Sequence, residues 1–515
     1  MKPELFNSLK NYKKKYILND LLAGLMVAII ALPLSIALGI QSVPGEVSQN
    51  GIQFGIITAI VAGFFISFLG GSRFQIGGPT AAFVVILYGY LLDPNIGILG
   101  LAISGIMAGG ILILLGLLRV GNVMKLFPYP ITIGFTTGIG VTLLIGQIKD
   151  LCGLKPEAAT EAIHKVINYG KAISTFNGWT FLVGVIGLLC VILLPKISKK
   201  IPSALVAIIV CTLATLLLNK VAGADIATIG STYGEIKAGF FPIDFSLVGN
   251  LQFSSLITPA IVIAFLCAIE SLLSATVAGG MTGTTFNPNQ ELVGQGVANI
   301  CSSLLGGLPA TGAIARTAAG IENGAKSPLT GMFHAVFVLI MYFALMGVLG
   351  FIPLCVFASI LISVAINMSR FPLFFKLTRF GVRDTIILLV TCALTIIFDL
   401  TYGVLGGVAV TVILNIGSIK AGLRLRGKIK KGAYRVKAEG CLYFVNGGRL
   451  ITELSKGLEY DSIILDMRYV ARIDETALEK LSSFNKKLKA MGKELSIINC
   501  STRVQKRLDK FYGVI

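Results

Sequence analysis

Long apolar runs recur from Asp20 to Ile419, most close to the roughly 20 residues that a helix needs to cross a bilayer core. The first, residues 20–40, reads DLLAGLMVAIIALPLSIALGI and carries Pro33 near its middle. Further spans are predicted near 52–69, 97–118, 128–148, 179–195 and 202–219. After a polar loop over 220–250 they resume near 255–278, 289–306, 328–349, 352–369, 383–399 and 401–419. Two apolar segments do not fit this mould. GGSRFQIGGPTAAFVVILYGYLL, residues 70–92, sets an extended RFQIG and Gly77, Gly78 and Pro79 ahead of a helix too short to span alone. LPATGAIARTAAGI, residues 308–321, is again short and broken by Gly and Pro. A mildly amphipathic stretch, 155–172, predicts a surface helix. The pattern gives about fourteen membrane elements, two of them half-length.

The pattern changes after Arg435. VKAEGCLYFV alternates as a strand does, LITELSKGLE reads as a helix, and DSIILDMRYV, DETALEKLSSFNKKLKAMG, KELSIINC and TRVQKRLDKFYGV continue strand, helix, strand, helix. The expected organisation is a basic N-terminus (1–19), a transmembrane domain (20–419, repeats 20–219 and 255–419), a basic linker (420–434) and a small α/β domain (435–515). KNYKKK, LRVGNVMK, PKISKK, SRFPLFFKLTRFGVR and KAGLRLRGKIKKGAYR all fall on one side if every element crosses once. The positive-inside rule makes that side cytoplasmic, so both termini are expected there, in a multi-pass protein of the cell membrane.

Composition closes several doors. The chain has 515 residues, 55% apolar and 13% charged, with mean hydropathy +0.84, which excludes an ordinary soluble domain. The net charge is +19, but in the membrane region lysines and arginines cluster in short loops between spans, which reads as membrane topology and not as nucleic-acid binding. Nine cysteines are scattered without a C-x-x-C, so neither a disulfide framework nor a zinc site is expected. No Walker motif is present, so ATP does not drive the chain, and no cofactor and no enzyme activity are expected.

One broken segment is the third of the first seven elements and the other the third of the second seven. An odd number per half inverts the second half, and paired broken helices in inverted repeats point to a midplane binding site. A helix that starts inside the membrane leaves N–H groups unpaired, and its positive end suits an anion. Thr80 and Thr311 can add hydroxyls. Arg316 follows about one turn into the second half-helix, where an arginine costs at least roughly 2.5–3.5 kcal/mol unless something offsets it. It can face the anion or pair structurally with a carboxylate. Glu270, amid AIVIAFLCAIESLLSATVAGG, is the second intramembrane charge, with Ser274 one turn on. It can carry a proton, hold Na+ with Ser274 and backbone oxygens, or pair with Arg316. His164 and His334 read as structural.

The quoted stretches, with ESLLSA, NQELVGQGVANICSSLLGGLPATGAIARTAAGIENGAKSPLTG and the tail IILDMRYVARIDETALEKL, resemble the SulP family of anion permeases, whose animal relatives include prestin. The tail is similar to the STAS domain of those permeases. The resemblance implies a seven-plus-seven inverted repeat with core and gate domains, a homodimer and elevator-like alternating access. It puts the substrate between the half-helices, beside the first and eighth spans, at Ser35, Thr80, Ala81, Thr311, Gly312, Ala313, Ile314 and Arg316. Glu270 and Ser274 match the cation-coupling positions, with Gly312 a further ligand if the ion is Na+. Ala315 and Leu34 stand where several relatives are polar, and Glu475 replaces the serine that single-domain STAS relatives phosphorylate, where it reads as a solvated acid at a helix start. The expected activity is proton-coupled uptake of a sulfate-type anion. Na+-coupled bicarbonate uptake, a proton-coupled dicarboxylate carrier and an anion channel are the alternatives. The partners implied are a small inorganic or carboxylate anion, H+ or Na+, membrane lipid, a second copy of the chain, and a nucleotide or cytosolic protein at the STAS domain.

Overall fold

The computed structural model describes residues 2–512 apart from 11, 122–127, 158, 160, 198–201, 370, 379–380, 399, 420–421, 431–432, 445 and 461. Parts of each basic cluster used for the topology fall outside the described residues. After a short α1 (Glu4–Lys10), the first seven membrane elements are α2 (Lys15–Ser42), α3 (Gly51–Leu69), α4 (Ala81–Leu92), α5 (Gly97–Leu117), α6 (Tyr129–Cys152), α8 (Gly178–Ile197) and α9 (Ser203–Val221). The surface helix α7 (Ala162–Lys171) lies between the fifth and sixth. Beyond α10 (Ile229–Tyr233) come α11 (Phe253–Thr282), α12 (Pro288–Leu304), α13 (Ile314–Glu322), α14 (Leu329–Leu349), α15 (Leu354–Ser369), the short α16 (Phe371–Leu377), α17 (Val382–Ile397) and α18 (Leu400–Ile419). Among the described residues, nine helices are long and apolar enough to cross a membrane. The third and tenth membrane elements, α4 and α13, have only 12 and 9 residues. The half-length elements predicted from Gly and Pro are therefore α4 and α13.

Contacts divide the chain into two compact units, 1–125 with 139–368, and 126–138 with 369–515. In the first, helices meet through small residues, as membrane helices do when backbones approach closely. A Cβ on Gly109 of α5 would lie 2.5 Å from the Gly296 carbonyl of α12, and one on Gly296 would lie 2.5 Å from the Gly109 carbonyl. Glycine at both positions lets these helices touch.

The second unit holds α16–α18 and a four-stranded sheet, order β3 (Leu423–Lys430), β4 (Ala433–Leu442), β5 (Ser462–Ile473), β6 (Glu494–Ile498). Strands β3 and β4 are antiparallel and the remaining pairs parallel. Helices α19 (Gly447–Ser455), α20 (Glu475–Ala490) and α21 (Thr502–Tyr512) cover one sheet face through Val436, Leu465, Leu450, Leu478 and Leu508. Two expectations are corrected here. Within the stretch expected as a linker, residues 423–430 are a strand, because LRLRGKIK alternates with period two and forms β3, with Leu423 and Leu425 toward the helices and Arg424, Arg426 and Lys428 exposed on the other face, while 420–421 and 431–432 lie outside the described residues. Glu475 is not solvated, since its residue is 0% exposed and Arg507 Nη2 donates to Glu475 Oε1 and to Asp384 Oδ2 of α17, both at 3.1 Å. Burial, and then the Asp384 carboxylate beside it, hold the Glu475 carboxyl well above the usual range. At the next residue, the Tyr129 N–H of α6 donates to Thr476 Oγ1 at 2.9 Å. Ile133, Leu377 and Leu388 from the membrane helices join the same apolar core.

Candidate functional site

The extended residues ahead of the two half-helices meet as a two-stranded antiparallel pair, β1 (Gly77–Gly78) with β2 (Thr311–Gly312). Gly77 pairs with Gly312 and Gly78 with Thr311, and the Ala313 N–H donates to the Ile76 carbonyl at 2.9 Å. This pairing satisfies backbone that would otherwise be stranded in the membrane interior. It also sets the N-termini of α4 and α13 beside each other. No side chain caps either helix, which leaves the first-turn N–H groups at Ala81, Ala82, Ile314 and Ala315 directed beyond the helix ends. Ala315 is exposed and Ile314, Thr80 and Glu270 are half-buried, so this end of the pair is reachable.

Arg316 lies behind that end and is 1% exposed. Its Nη1 donates to the Gly77 carbonyl and its Nη2 to Ser35 Oγ, each at 3.1 Å, while Nε has no hydrogen-bond partner. Gly78 permits this placement: its φ is +147°, and a Cβ there would collide with Arg316 Nη1. Thr80 Oγ1 donates to Glu270 Oε2 at 2.8 Å, which ties α11 to the start of α4. Among the described residues no ion pair joins Glu270 to Arg316 within 4.0 Å. The two intramembrane charges stand apart, both bonded to the segment that leads into α4, Arg316 at Gly77 and Glu270 at Thr80.

Several expected site residues take a different place. Thr311 is 0% exposed, and its hydroxyl lies 2.7 Å from Ser271 Oγ and 3.3 Å from the Cys267 carbonyl. Its hydroxyl is thus spent on α11 and not offered to a ligand. The Gly312 N–H donates to Ser271 Oγ at 3.1 Å and the Ala313 N–H is used in the strand pairing, so the open N–H groups begin at Ile314. Ser35 Oγ accepts from Arg316 and donates to the Ala31 carbonyl at 2.7 Å, so it holds the arginine. Ser274 Oγ faces Thr317 Oγ1 at 3.5 Å, and Thr80 is the hydroxyl bonded to Glu270.

Sequence reasoning missed the side chains that hold the broken segments. Asn299 Oδ1 accepts from the Ala310 N–H at 2.8 Å and its Nδ2 donates to the Ala310 carbonyl at 2.9 Å, so the amide acts as a strand neighbour. Gln75 Nε2 donates to the Ser271 carbonyl at 3.0 Å, and Thr58 Oγ1 accepts from the Leu308 N–H at 2.7 Å. Two buried carboxylates act at the loops. Glu291 Oε2 accepts from the N–H groups of Gly71 and Ser72 at 2.9 and 3.0 Å. Asp20 accepts from the N–H groups of Lys326 and Ser327 and the hydroxyls of Ser327, Thr330 and Tyr12, at 2.6–3.1 Å. Polar residues inside apolar runs were the available signal. His334 is buried too, with neither ring nitrogen bonded, and a Cβ on Gly63 would lie 3.7 Å from its Nε2 and 3.4 Å from the Gly77 carbonyl.

The sulfate permease family model matches residues 17–391, and the STAS domain model matches 426–512. A putative sulfate transporter of Bacillus subtilis, YvdB, is 36% identical across 97% of this chain and 95% of its own. The bicarbonate transporter BicA of Picosynechococcus sp. is 26% identical across 95% of this chain and 90% of its own. The inward-facing structure of the murine anion transporter Slc26a9 superposes with a TM-score of 0.70 at 19% identity, covering 98% of this chain and 89% of that one. At that identity the likeness concerns the fold.

Proposed function

This chain belongs to the sulfate permease family and carries its STAS domain, and on that footing we propose that it is a secondary active transporter importing a sulfate-type anion with protons by elevator alternating access. The observation that carries the reading is the pair of uncapped half-helix N-termini with Arg316 behind them and Glu270 bonded at their rim. The anion sits against the first-turn N–H groups at Ala81, Ile314 and Ala315, in the field of the buried guanidinium. Thr80 bridges the two chemistries, because its hydroxyl bonds Glu270 and its residue leads into α4. An ionised Glu270 repels an arriving anion, whereas a protonated one does not, so anion and proton favour each other's binding.

The membrane potential sets the stoichiometry. A dianion entering against about 100 mV costs roughly 4.6 kcal/mol, and each co-transported proton returns about 2.3. Sulfate therefore needs two cations for neutral entry, and bicarbonate one. One coupling carboxyl, together with the bicarbonate relative, favours Na+-coupled bicarbonate uptake as the second reading. Both termini are assigned to the cytoplasm, and the working unit is a homodimer.

The test is uptake of labelled sulfate and labelled bicarbonate into proteoliposomes, under an imposed pH gradient and then a Na+ gradient, with Glu270→Gln beside the parent. Sulfate accumulation driven by the pH gradient, with Glu270→Gln no longer responding to it, supports the proton reading. Bicarbonate accumulation that needs Na+, with no sulfate uptake, replaces it with the second.

A further inference from the structure

The sheet face of the STAS domain opposite its helices carries cations in an arrangement that folding alone does not explain. On β3, Arg424, Arg426 and Lys428 share one face and are exposed. The antiparallel register sets Arg426 directly across from Lys437 and Lys428 directly across from Arg435. Like charges placed opposite each other destabilise a sheet. Arg435 is relieved by Asp466 at 2.6 Å and Lys437 by Glu439 at 2.8 Å. Arg424, Arg426 and Lys428 have no ion pair within 4.0 Å among the described residues. Among the described residues of β3 and β4, five cations thus share this face with Glu439 and with Asp466 of β5. Protecting an edge strand from aggregation accounts for charge on β3. It does not account for the matching cations on β4, which is an interior strand.

The chain's own geometry says what lies nearby. The last membrane helix, α18, ends at Ile419 and β3 begins at Leu423. At no more than about 3.6 Å per residue, the start of β3 stays within roughly 14 Å of the span's end. We propose that this cationic face, centred on Arg424, Arg426 and Lys428, binds the phosphate headgroups of anionic phospholipids in the adjoining leaflet. Juxtamembrane basic clusters are drawn to such headgroups over about a Debye length. Headgroup phosphates between the strands relieve both like-charge pairs, so the lipid also steadies β3 and β4. The proposal rests on the membrane reading of α18 and not on the identity of the transported anion.

Hydrogen exchange of the full-length chain tests it, in nanodiscs of phosphatidylcholine alone or with phosphatidylglycerol added. With the anionic lipid, exchange across 423–437 is expected to slow by about fivefold or more, and raised salt abolishes the effect. The variant carrying Arg424→Gln, Arg426→Gln and Lys428→Gln loses the response, with exchange in α20 as its folding control. The salt titration of the parent needs no variant and stands if the triple variant fails to fold. Soluble glycerol phosphate is expected to leave the segment unprotected. Equal exchange in the two nanodiscs overturns the proposal. So does equal protection by glycerol phosphate, or by an oligonucleotide in phosphatidylcholine discs, which would reassign the face to a soluble anion.

Discussion

Gly78→Ala puts the smallest possible change, one methyl group, at the point where strand pairing and buried charge meet. Gly78 has φ +147°, which L side chains rarely adopt, and such backbone costs about 1–3 kcal/mol. The new Cβ would overlap Arg316 Nη1 and lie 3.0 Å from Cζ, with Ala59 Cα 3.4 Å away. The overlapped Nη1 is the atom that donates to the Gly77 carbonyl, so the guanidinium has to shift at the expense of that bond. A hydrogen bond to a charged group is worth about 1.5–3 kcal/mol. If the arginine's placement serves the anion, affinity falls by one to two orders of magnitude for that loss. Gly89→Ala in α4 is the matched control, because a Cβ there meets nothing within 4 Å, and its expected effect is a gain of about 0.4–1 kcal/mol. Both variants are purified in detergent and compared for melting temperature, monodispersity and anion-induced stabilisation, then for uptake. Gly78→Ala is expected to stay folded but with anion-induced stabilisation lost, and Gly89→Ala to match the parent in anion-induced stabilisation and uptake. A Gly78→Ala protein that binds the anion as the parent does would refute the assigned place of Arg316.

Two further predictions concern the carboxylates that hold structure. Asp20→Ala strips four hydrogen bonds from the turn after α13 and the start of α14 and a fifth from Tyr12, and should cost about 3–5 kcal/mol, read as a fall in melting temperature larger than that of Asp20→Asn. Glu475 has a carboxyl held above its ordinary 4.5 by burial, so its seating contributes fully below that pH and weakens as pH rises toward the raised value. Melting followed against pH should therefore decline across that window in the parent and flatten in Glu475→Gln; parallel pH profiles would contradict the assignment.

The membrane elements were legible because a 20-residue apolar run has few alternatives, and α4 and α13 because Gly77, Gly78, Pro79 and Pro309 forbid a continuous helix there. The pairing of Gly77 and Gly78 with Thr311 and Gly312 was not legible. Each strand has two residues, which leaves no period to detect, and the partners are remote in sequence. The residue types at the site were found, but not their bonds: whether Thr311 offers its hydroxyl to a ligand or to Ser271 depends on packing that no local pattern encodes. The strand at 423–430 was hidden for a different reason. Charge density suggested a linker, while the alternation of LRLRGKIK already specified a strand with its cations on one face. Glu475 was misjudged because a helix-start acid is usually solvated, and here Arg507 and Asp384 come from elements distant in the chain.

The central claim is that Arg316 and the two half-helix N-termini hold the transported anion. Its most direct test is uptake of labelled sulfate and labelled bicarbonate into proteoliposomes by the parent and by Arg316→Gln, with equal reconstitution verified. The parent is expected to accumulate one of the two anions, and Arg316→Gln to lose at least about tenfold of that uptake while keeping its fold. Undiminished uptake by Arg316→Gln, or a well-folded parent that moves neither anion, would contradict it.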